Sequence, residues 1–440
     1  MGILLEQRRK KTCKEQHYWK GRILYRKKVN QYFAVNIEME EMNKNRILHI
    51  MMESPFLEGM GYQENILTRK HKQLGFRVFV VSCKGKLQIP ESDMVYTNQD
   101  NVSVEYLENN QSALRKIPFI VGWTRSVIGL KDAIERISPD VIFIHGICKY
   151  DNIDVIRYCR HNPHVRLYAD NHSDYYNTPV KTIKQKSFRY GVGRYIGSKL
   201  NKYASKIWGV TPWRVDYMRA VYGIKDYKSD LLIMGGDESF INWEKRKETR
   251  QTIRSRINVP EDAFVVITGG KIDMAKNVHM LVDAVKNTNK KLKVFLLLIG
   301  TFEEKIEEYC MQGDISQIRN IGWLKPSEIY EYCLASDLAC FPGTHSVLWE
   351  QVCACGLPAI FKDWQGGVSH LDVGGNCILL KKVNTEEIRK NIENILLSPE
   401  LYNKMYEIAS TKARDTFSYI NIAKKSIEYE LNFQSSNEQY

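Results

Sequence analysis

A chain of 440 residues, set against the ~150 typical of one domain, predicts two to three domains and excludes a single small binding module. Hydrophobic residues at 43%, charged residues at 26%, and only 12 Pro and 27 Gly exclude disordered, collagen-like and fibrous classes. The net charge of +13 is concentrated in residues 1–41, net +5, and residues 181–206, net +8, so a protein-wide nucleic-acid coat is excluded and local basic patches facing something anionic are expected.

The first forty-one residues are basic and aromatic without a clear period, which fits either an accessory arm or an over-extended start ahead of Met42. The pattern then changes at Asn45–Met52 (NRILHIMM), an apolar run that predicts a first buried strand. Apolar runs at Arg77–Ser82, Val141–His145, Arg166–Ala169 and Lys206–Val210 alternate with helical segments, the rhythm of β-α-β units and a parallel sheet. After Asp237 a polar linker and helix, Asn242–Arg256, restart the rhythm at Ala263–Thr268, Lys293–Ile299, Ile318–Ile321, Leu338–Phe341 and Pro358–Phe361. The fold class expected is α/β, with two Rossmann-like doubly wound domains at 42–236 and 237–415 facing a cleft. The segment Phe417–Leu431, within a last unit spanning 416–440, is helical in pattern.

Ten cysteines without a C-x-x-C pair read as reduced thiols in a cytoplasmic protein. Cys353 and Cys355 fit small buried residues better than a metal pair, because no further ligand lies at the spacing zinc needs. The longest purely apolar run, Val294–Ile299, is far short of the ~20 residues that span a bilayer.

Several turns at strand ends carry chemistry. Gly269-Gly270-Lys271-Ile272-Asp273-Met274-Ala275-Lys276-Asn277 follows one strand and precedes a helical run, so glycines that admit an anion and two lysines converge on one turn. Alone, that turn reads equally as solvated surface. Phe341 to Glu350 ends another strand in small residues, with a helix expected to start near Ser346 and with Glu350 one turn inside, where a carboxylate suits ribose hydroxyls. In the first half, Gly59-Met60-Gly61 and Asp170-Asn171-His172-Ser173-Asp174 fall at the carboxyl edge of the sheet, where doubly wound folds bind ligands. From Lys181 to Lys206, Ile196, Leu200, Tyr203 and Ile207 share a helical face beside Lys199 and Lys202, which fits either a helix resting on an anionic membrane or ordinary core packing.

In order and spacing these segments resemble the retaining, nucleotide-sugar-dependent glycosyltransferases of the GT-B fold, family-four type, over about residues 46–431. Gly270-Lys271-Ile272 through Lys276-Asn277 is similar to the turn that holds the donor diphosphate, with Lys271 in place of the family's Arg. Glu350-Gln351-Val352-Cys353-Ala354-Cys355-Gly356-Leu357-Pro358 resembles its E-A-x-A-x-G-x-P, which gives Glu350 the ribose. The family's first glutamate falls at Pro342, so Thr344, His345, Ser346 and Val347 must supply the donor contacts, with His345 the candidate for the sugar, or activity is lost. The likeness also implies His172 near the reacting centre, His145 with Gly59 and Gly61 on the acceptor or phosphate side, Gly366-Gly367 near the donor, and a C-terminal helix crossing back to the first domain.

The expected function is transfer of a sugar, with retention, from a nucleotide sugar to a glycan or lipid-linked glycan in cell-surface polysaccharide biosynthesis. Lys271 and Lys276 would stabilise charge on the leaving diphosphate, with no metal and no other cofactor. The protein would be cytoplasmic, with peripheral attachment to the inner membrane face through the basic segments. A nucleotide-sugar epimerase of the same fold and a degenerate, non-catalytic scaffold are the competing readings; no nucleic-acid module is recognised.

Overall fold

The computed structural model describes residues 45–117, 120–365 and 367–428. The basic segment 1–41, Gly366 and the end of the expected C-terminal helix lie outside the described residues.

The first sheet contains β1 (Arg46–Met51), β2 (Arg77–Cys83), β3 (Val95–Thr97), β4 (Ser103–Leu107), β5 (Val141–His145), β6 (Arg166–Asn171), β7 (Lys206–Gly209) and β8 (Ser229–Leu231). Their order is β3-β4-β2-β1-β5-β6-β7-β8, parallel throughout except for β3 at the edge. The second sheet is wholly parallel and runs β11 (Ile318–Gly322), β10 (Val294–Phe302), β9 (Phe264–Ile272), β12 (Leu338–Phe341), β13 (Ala359–Lys362), β14 (Cys377–Leu380). In each sheet the winding reverses once, between β1 and β5 and between β9 and β12. The loops leaving those strands diverge to opposite sides and open a crevice at the carboxyl edge.

Both faces of each sheet are covered, which is why β1 past Arg46 and the whole of β5 are buried residue after residue rather than alternately. On one face of the first sheet Leu48 and Ile50 pack with Ile196, Leu200 and Ile207. This settles the stripe expected on a single helix: the helix is Arg194–Tyr203, Ile207 belongs to β7, and Ile196 and Leu200 are fully buried, so the stripe is core and not a membrane face. On the other face Ile47 and Met51 meet Tyr419, Ile422 and Ala423 of the helix Tyr419–Ser426, which follows the second domain. The crossing back expected from the family resemblance is therefore present, and Trp208 Nε1 donates to the Ser426 carbonyl at 2.8 Å to fasten it.

The two passages between domains run side by side. A Cβ on Gly235 would stand 2.1 Å from the Phe417 carbonyl oxygen, so only glycine allows the chains this close. Gly236 N donates to that oxygen at 3.0 Å. Next to them the buried Lys70 ammonium lies 2.8 Å from Asp237 and 2.5 Å from Glu238, while Arg69 reaches Asp237 at 2.6 Å. Burial pulls the Asp237 carboxyl upward; hydrogen bonds from Lys70 and Ser239 with the charges of Lys70 and Arg69 outweigh it and hold it low.

Candidate active site

The first-domain wall of the crevice is polar in a way its strands are not. His145 ends β5, and its Nδ1 donates to Asp170 Oδ2 of β6 at 2.7 Å. Asp170 is fully buried, and its other oxygen lies 3.6 Å from Nε2 of His172, whose side chain is 39% exposed to the cleft. Burial would raise the Asp170 carboxyl, but the charges of His145 and His172 prevail and keep it low. His172 moves the opposite way: burial lowers its pKa, Asp170 raises it, and the net shift is upward. Of the two glycines, Gly61 lines the cleft; Gly59 is an exposed turn residue at φ +72° outside the lining.

On the second-domain wall, Gly270 and Lys271 are not in a turn but in the last residues of β9, paired with Gly300 and Thr301 of β10. A Cβ on Gly300 would meet the Gly270 carbonyl oxygen at 2.0 Å, which explains the glycine pair. The turn itself is Asp273–Asn277, where the Asp273 carboxylate accepts from Lys276 N at 3.2 Å. Lys276 Nζ donates to the Thr344 carbonyl at 2.7 Å, and Asn277 Nδ2 to the Pro342 carbonyl at 3.0 Å. Gly343 is pressed on the Lys276 backbone, where a Cβ would come within 2.2 Å. The loops from β9 and β12 are thus one unit, and burial lowers the Lys276 pKa.

The helix after β12 begins at Leu348, two residues past Ser346, and has seven residues. Glu350, expected to face ribose hydroxyls, is instead 0% exposed. His345 Nε2 and His370 Nε2 both donate to its Oε1, at 2.8 and 3.0 Å. Burial on its own would raise the carboxyl, and the two histidines bring it down to about 2. Among the described residues these three side chains are the group with metal-ligand spacing, their ligand atoms lying within 4.8 Å of one another. Both Nε2 atoms sit at hydrogen-bond distance from the same oxygen, which is sufficient to account for the cluster. Cys353 and Cys355 are buried, and burial pushes both thiols up.

Three hollows meet in the crevice. One of about 460 Å³ on the first-domain side is lined by Glu53, Gln63, Glu64, His145, His172 and, from across the cleft, Val347. Another of about 320 Å³ is lined by Gly270, Lys271, Trp323, Ser346, Val347 and Gln351. The third, about 230 Å³, joins Arg214 and Trp213 to Thr344, His345 and Trp364, with Gly367 pressed flat on the Trp213 ring. Val347 lines both of the first two. His370, Trp323, Gln351 and Gly300 were not among the sequence candidates. Trp323, 66% exposed beside β11, is the kind of isolated surface aromatic that a sequence cannot separate from a core residue.

Residues 249–412 match the family model of glycosyl transferases group 1. Sucrose-phosphate synthase from Thermosynechococcus elongatus superposes with a TM-score of 0.60 at 15% identity, covering 89% of this chain and 100% of that one. HepE from Anabaena, crystallised with UDP, gives 0.62 at 16% identity over 88% and 100%. A putative UDP-N-acetylglucosamine 2-epimerase from Listeria monocytogenes gives 0.55 at 13% identity over 90% and 98%. No curated protein sequence matches significantly. The fold is GT-B, and the second domain is of the group 1 kind. A group 1 glycosyl transferase domain is thus part of this chain.

The Glu350 cluster has a pH consequence. Its folded carboxyl, at about 2, lies below its ordinary 4.5, so it stabilises the fold fully above pH 4.5 and loses that contribution as pH falls toward 2. Acid unfolding followed by circular dichroism should show a shallower loss between those values in Glu350→Gln than in the wild type; identical acid limbs would contradict the assignment.

Proposed function

We propose that the protein transfers a sugar, with retention of configuration, from a nucleoside-diphosphate sugar on the second domain to a hydroxyl of a glycan or lipid-linked glycan in the first-domain cleft, as in cell-surface polysaccharide synthesis. The observation that carries this reading is Val347, which borders both hollows, so that a donor lying along Lys271 and Gly270 brings its sugar beneath His172. HepE, similar in fold, has been crystallised with UDP and with UDP-glucose, which makes a uridine donor the first to test.

Negative charge grows on the diphosphate as the glycosidic bond breaks. Lys271 is exposed in the donor hollow, and the Lys276 ammonium is half-buried, held by a single carbonyl, and able to turn to phosphate oxygens. Two cations in a site partly shielded from water supply electrostatic stabilisation without a metal. Trp323 offers a face on which a base can stack. His172, kept basic by Asp170, is suited to donate to an oxygen of the sugar or leaving group, and His345 reaches the hollow next to it. No lysine or arginine is among the residues lining the acceptor-side cleft, which favours an uncharged, hydroxyl-bearing acceptor over a phosphate at that point. The metal-free reading and the fate of Glu350 are tied: its Oε1 is already taken by hydrogen bonds from two histidines, and added chelator should leave turnover unchanged.

Lys276→Ala should weaken UDP binding by about tenfold or more, the loss of one charge-assisted hydrogen bond, with the protein still folded. His172→Ala should lower turnover of UDP-glucose while leaving UDP affinity intact. Calorimetry showing unchanged UDP affinity in Lys276→Ala would remove the lysine from the donor site, and a loss of affinity in His172→Ala would move the histidine to it.

Membrane association, if the acceptor is lipid-linked, falls to a different surface than the helix stripe. Leu114, Ile117, Ile120, Trp123, Ile183 (83% exposed) and Tyr190 are exposed apolar side chains on the first domain, and Lys116, Lys181, Lys186 and Arg194 are exposed with them. Trp123 packs against Tyr195 at 5.7 Å, which joins the two segments. Each basic residue near an anionic surface contributes ~1 kcal/mol. Flotation with anionic vesicles at low salt should recover the protein, and Trp123→Ser with Ile183→Ser should abolish it; binding indifferent to salt and to both changes would contradict this surface.

A further inference from the structure

One polar feature plays no part in the reading above and has no counterpart among the sequence candidates. His49 lies in the middle of β1, fully buried, on the same face as Ile47 and Met51. His71, also fully buried, reaches it from the helix Gln63–Gln73. Register places Met51 beside His145 and His145 beside Asp170, so this face of the sheet carries a row of rings that leads to the cleft. The contacts are continuous. Ser426 Oγ and the Ala423 carbonyl lie 3.0 and 3.2 Å from His71 Nε2, His71 Nδ1 lies 3.0 Å from His49 Nε2, His49 Nδ1 lies 2.9 Å from His145 Nε2, and His145 Nδ1 lies 2.7 Å from Asp170.

Proton counting restricts what this chain can be. Its four hydrogen bonds, from Ser426 or Ala423 through three imidazoles to Asp170, need four protons, and three neutral imidazoles bring three. Asp170 and the Ala423 carbonyl only accept. The fourth proton therefore comes either from the Ser426 hydroxyl or from an added proton. In the first case the Ser426 hydroxyl turns away from the Ala423 carbonyl, to which it otherwise donates at 2.8 Å, all three rings carry hydrogen on Nδ1 and every bond points toward Asp170. In the second, His145 is an imidazolium donating from both nitrogens, His49 and His71 both carry hydrogen on Nε2, and His71 donates to the Ala423 carbonyl. The extra proton belongs on His145, beside the Asp170 charge. Burial and the neighbouring histidines push His49 well below its ordinary value, and burial takes His71 to about 3. The other charged groups facing the cleft end are His172 on the Asp170 carboxylate, Arg214, Glu64, and Glu53, which lies against Gly146.

We propose that His71, His49 and His145 form a relay holding one exchangeable proton between the cleft and the C-terminal helix, and that His49, His71 and Ser426 are thereby positioning residues for His145, Asp170 and His172. One proton gained or lost at the cleft reverses two buried tautomers and exchanges the partner on the helix that ties the domains together. The importance of this for transfer rests on the function proposed above; the proton order itself is a property of the fold.

The test is nitrogen-15 NMR of the histidine rings in the full chain across about pH 5 to 9, without substrate. At the alkaline end His49, His71 and His145 should all be protonated on Nδ1. On acidification His49 and His71 should move to Nε2 protonation at one common midpoint, where His145 gains its second proton. Ser426→Ala removes the hydroxyl needed only by the proton-poor order, so it should raise that midpoint by about half a unit or more. His49→Phe breaks the row and should leave the His71 tautomer indifferent to pH, while His49→Gln, which both donates and accepts, should restore a response. Separate midpoints for His49 and His71, or a midpoint unmoved or lowered in Ser426→Ala, would overturn the relay. Concerted tautomers in a protein that transfers no sugar would instead sustain the relay and reject the function.

Discussion

The Lys70 ammonium, buried where the domains join, is held by the carboxylates of Asp237 and Glu238 just after the chain leaves the first sheet. A charge so placed costs several kcal/mol if left alone, and breaking such a pair by removing one partner is expensive, so the two domains meet at the orientation that keeps both partners in reach. The glycine-to-backbone contact at Gly235 and the helix Tyr419–Ser426 act at the same place. With that geometry fixed, the two points at which the sheets reverse their winding confront one another, and Val347 of the second domain comes to line a hollow whose other walls belong to the first. The site is a consequence of the joint.

Within the joint, the two walls differ in chemistry. The second domain brings Lys271 and Lys276 beside the Glu350 carboxylate and its two histidines. The first brings Glu53, Glu64, His145 and His172, with Asp170 buried behind them and Arg214 to one side. Close backbone approach makes this rigid: Gly300 on Gly270 and Gly343 on Lys276 set main chain against main chain, which cannot retreat into another rotamer, and Gly367 leaves room only for the Trp213 ring. Such preorganisation is what lets a fixed set of dipoles and charges stabilise a transient charge.

The sheet architecture was legible because buried parallel strands are continuous apolar runs; β1, β2, β5, β6, β7 and β9 to β13 all stand where such a run does. Those missed, β3, β4, β8 and β14, lie at or next to sheet edges, several with polar residues, and their pairing is decided by neighbours rather than by local pattern. Lys276, His172 and His345 could be picked out because they follow strands. Glu350 was placed on the right helix, but its orientation depends on His370, twenty residues away, which no local spacing reveals. His49 did leave a sign: an imidazole in the middle of RILHIM is a polar group in a strand that otherwise needs none. What it touches, across two strands and two helices, is tertiary.

The central claim is that the nucleotide sits on the second domain, along the ends of β9 and β12, with the first-domain cleft left open for an acceptor. Amide hydrogen exchange with and without UDP tests it directly. Protection concentrated in residues 270–277 and 342–351, with 53–64 and 170–174 exchanging as in the free protein, is the result the account predicts. Protection of the first-domain loops while 270–277 and 342–351 stay unchanged would contradict it.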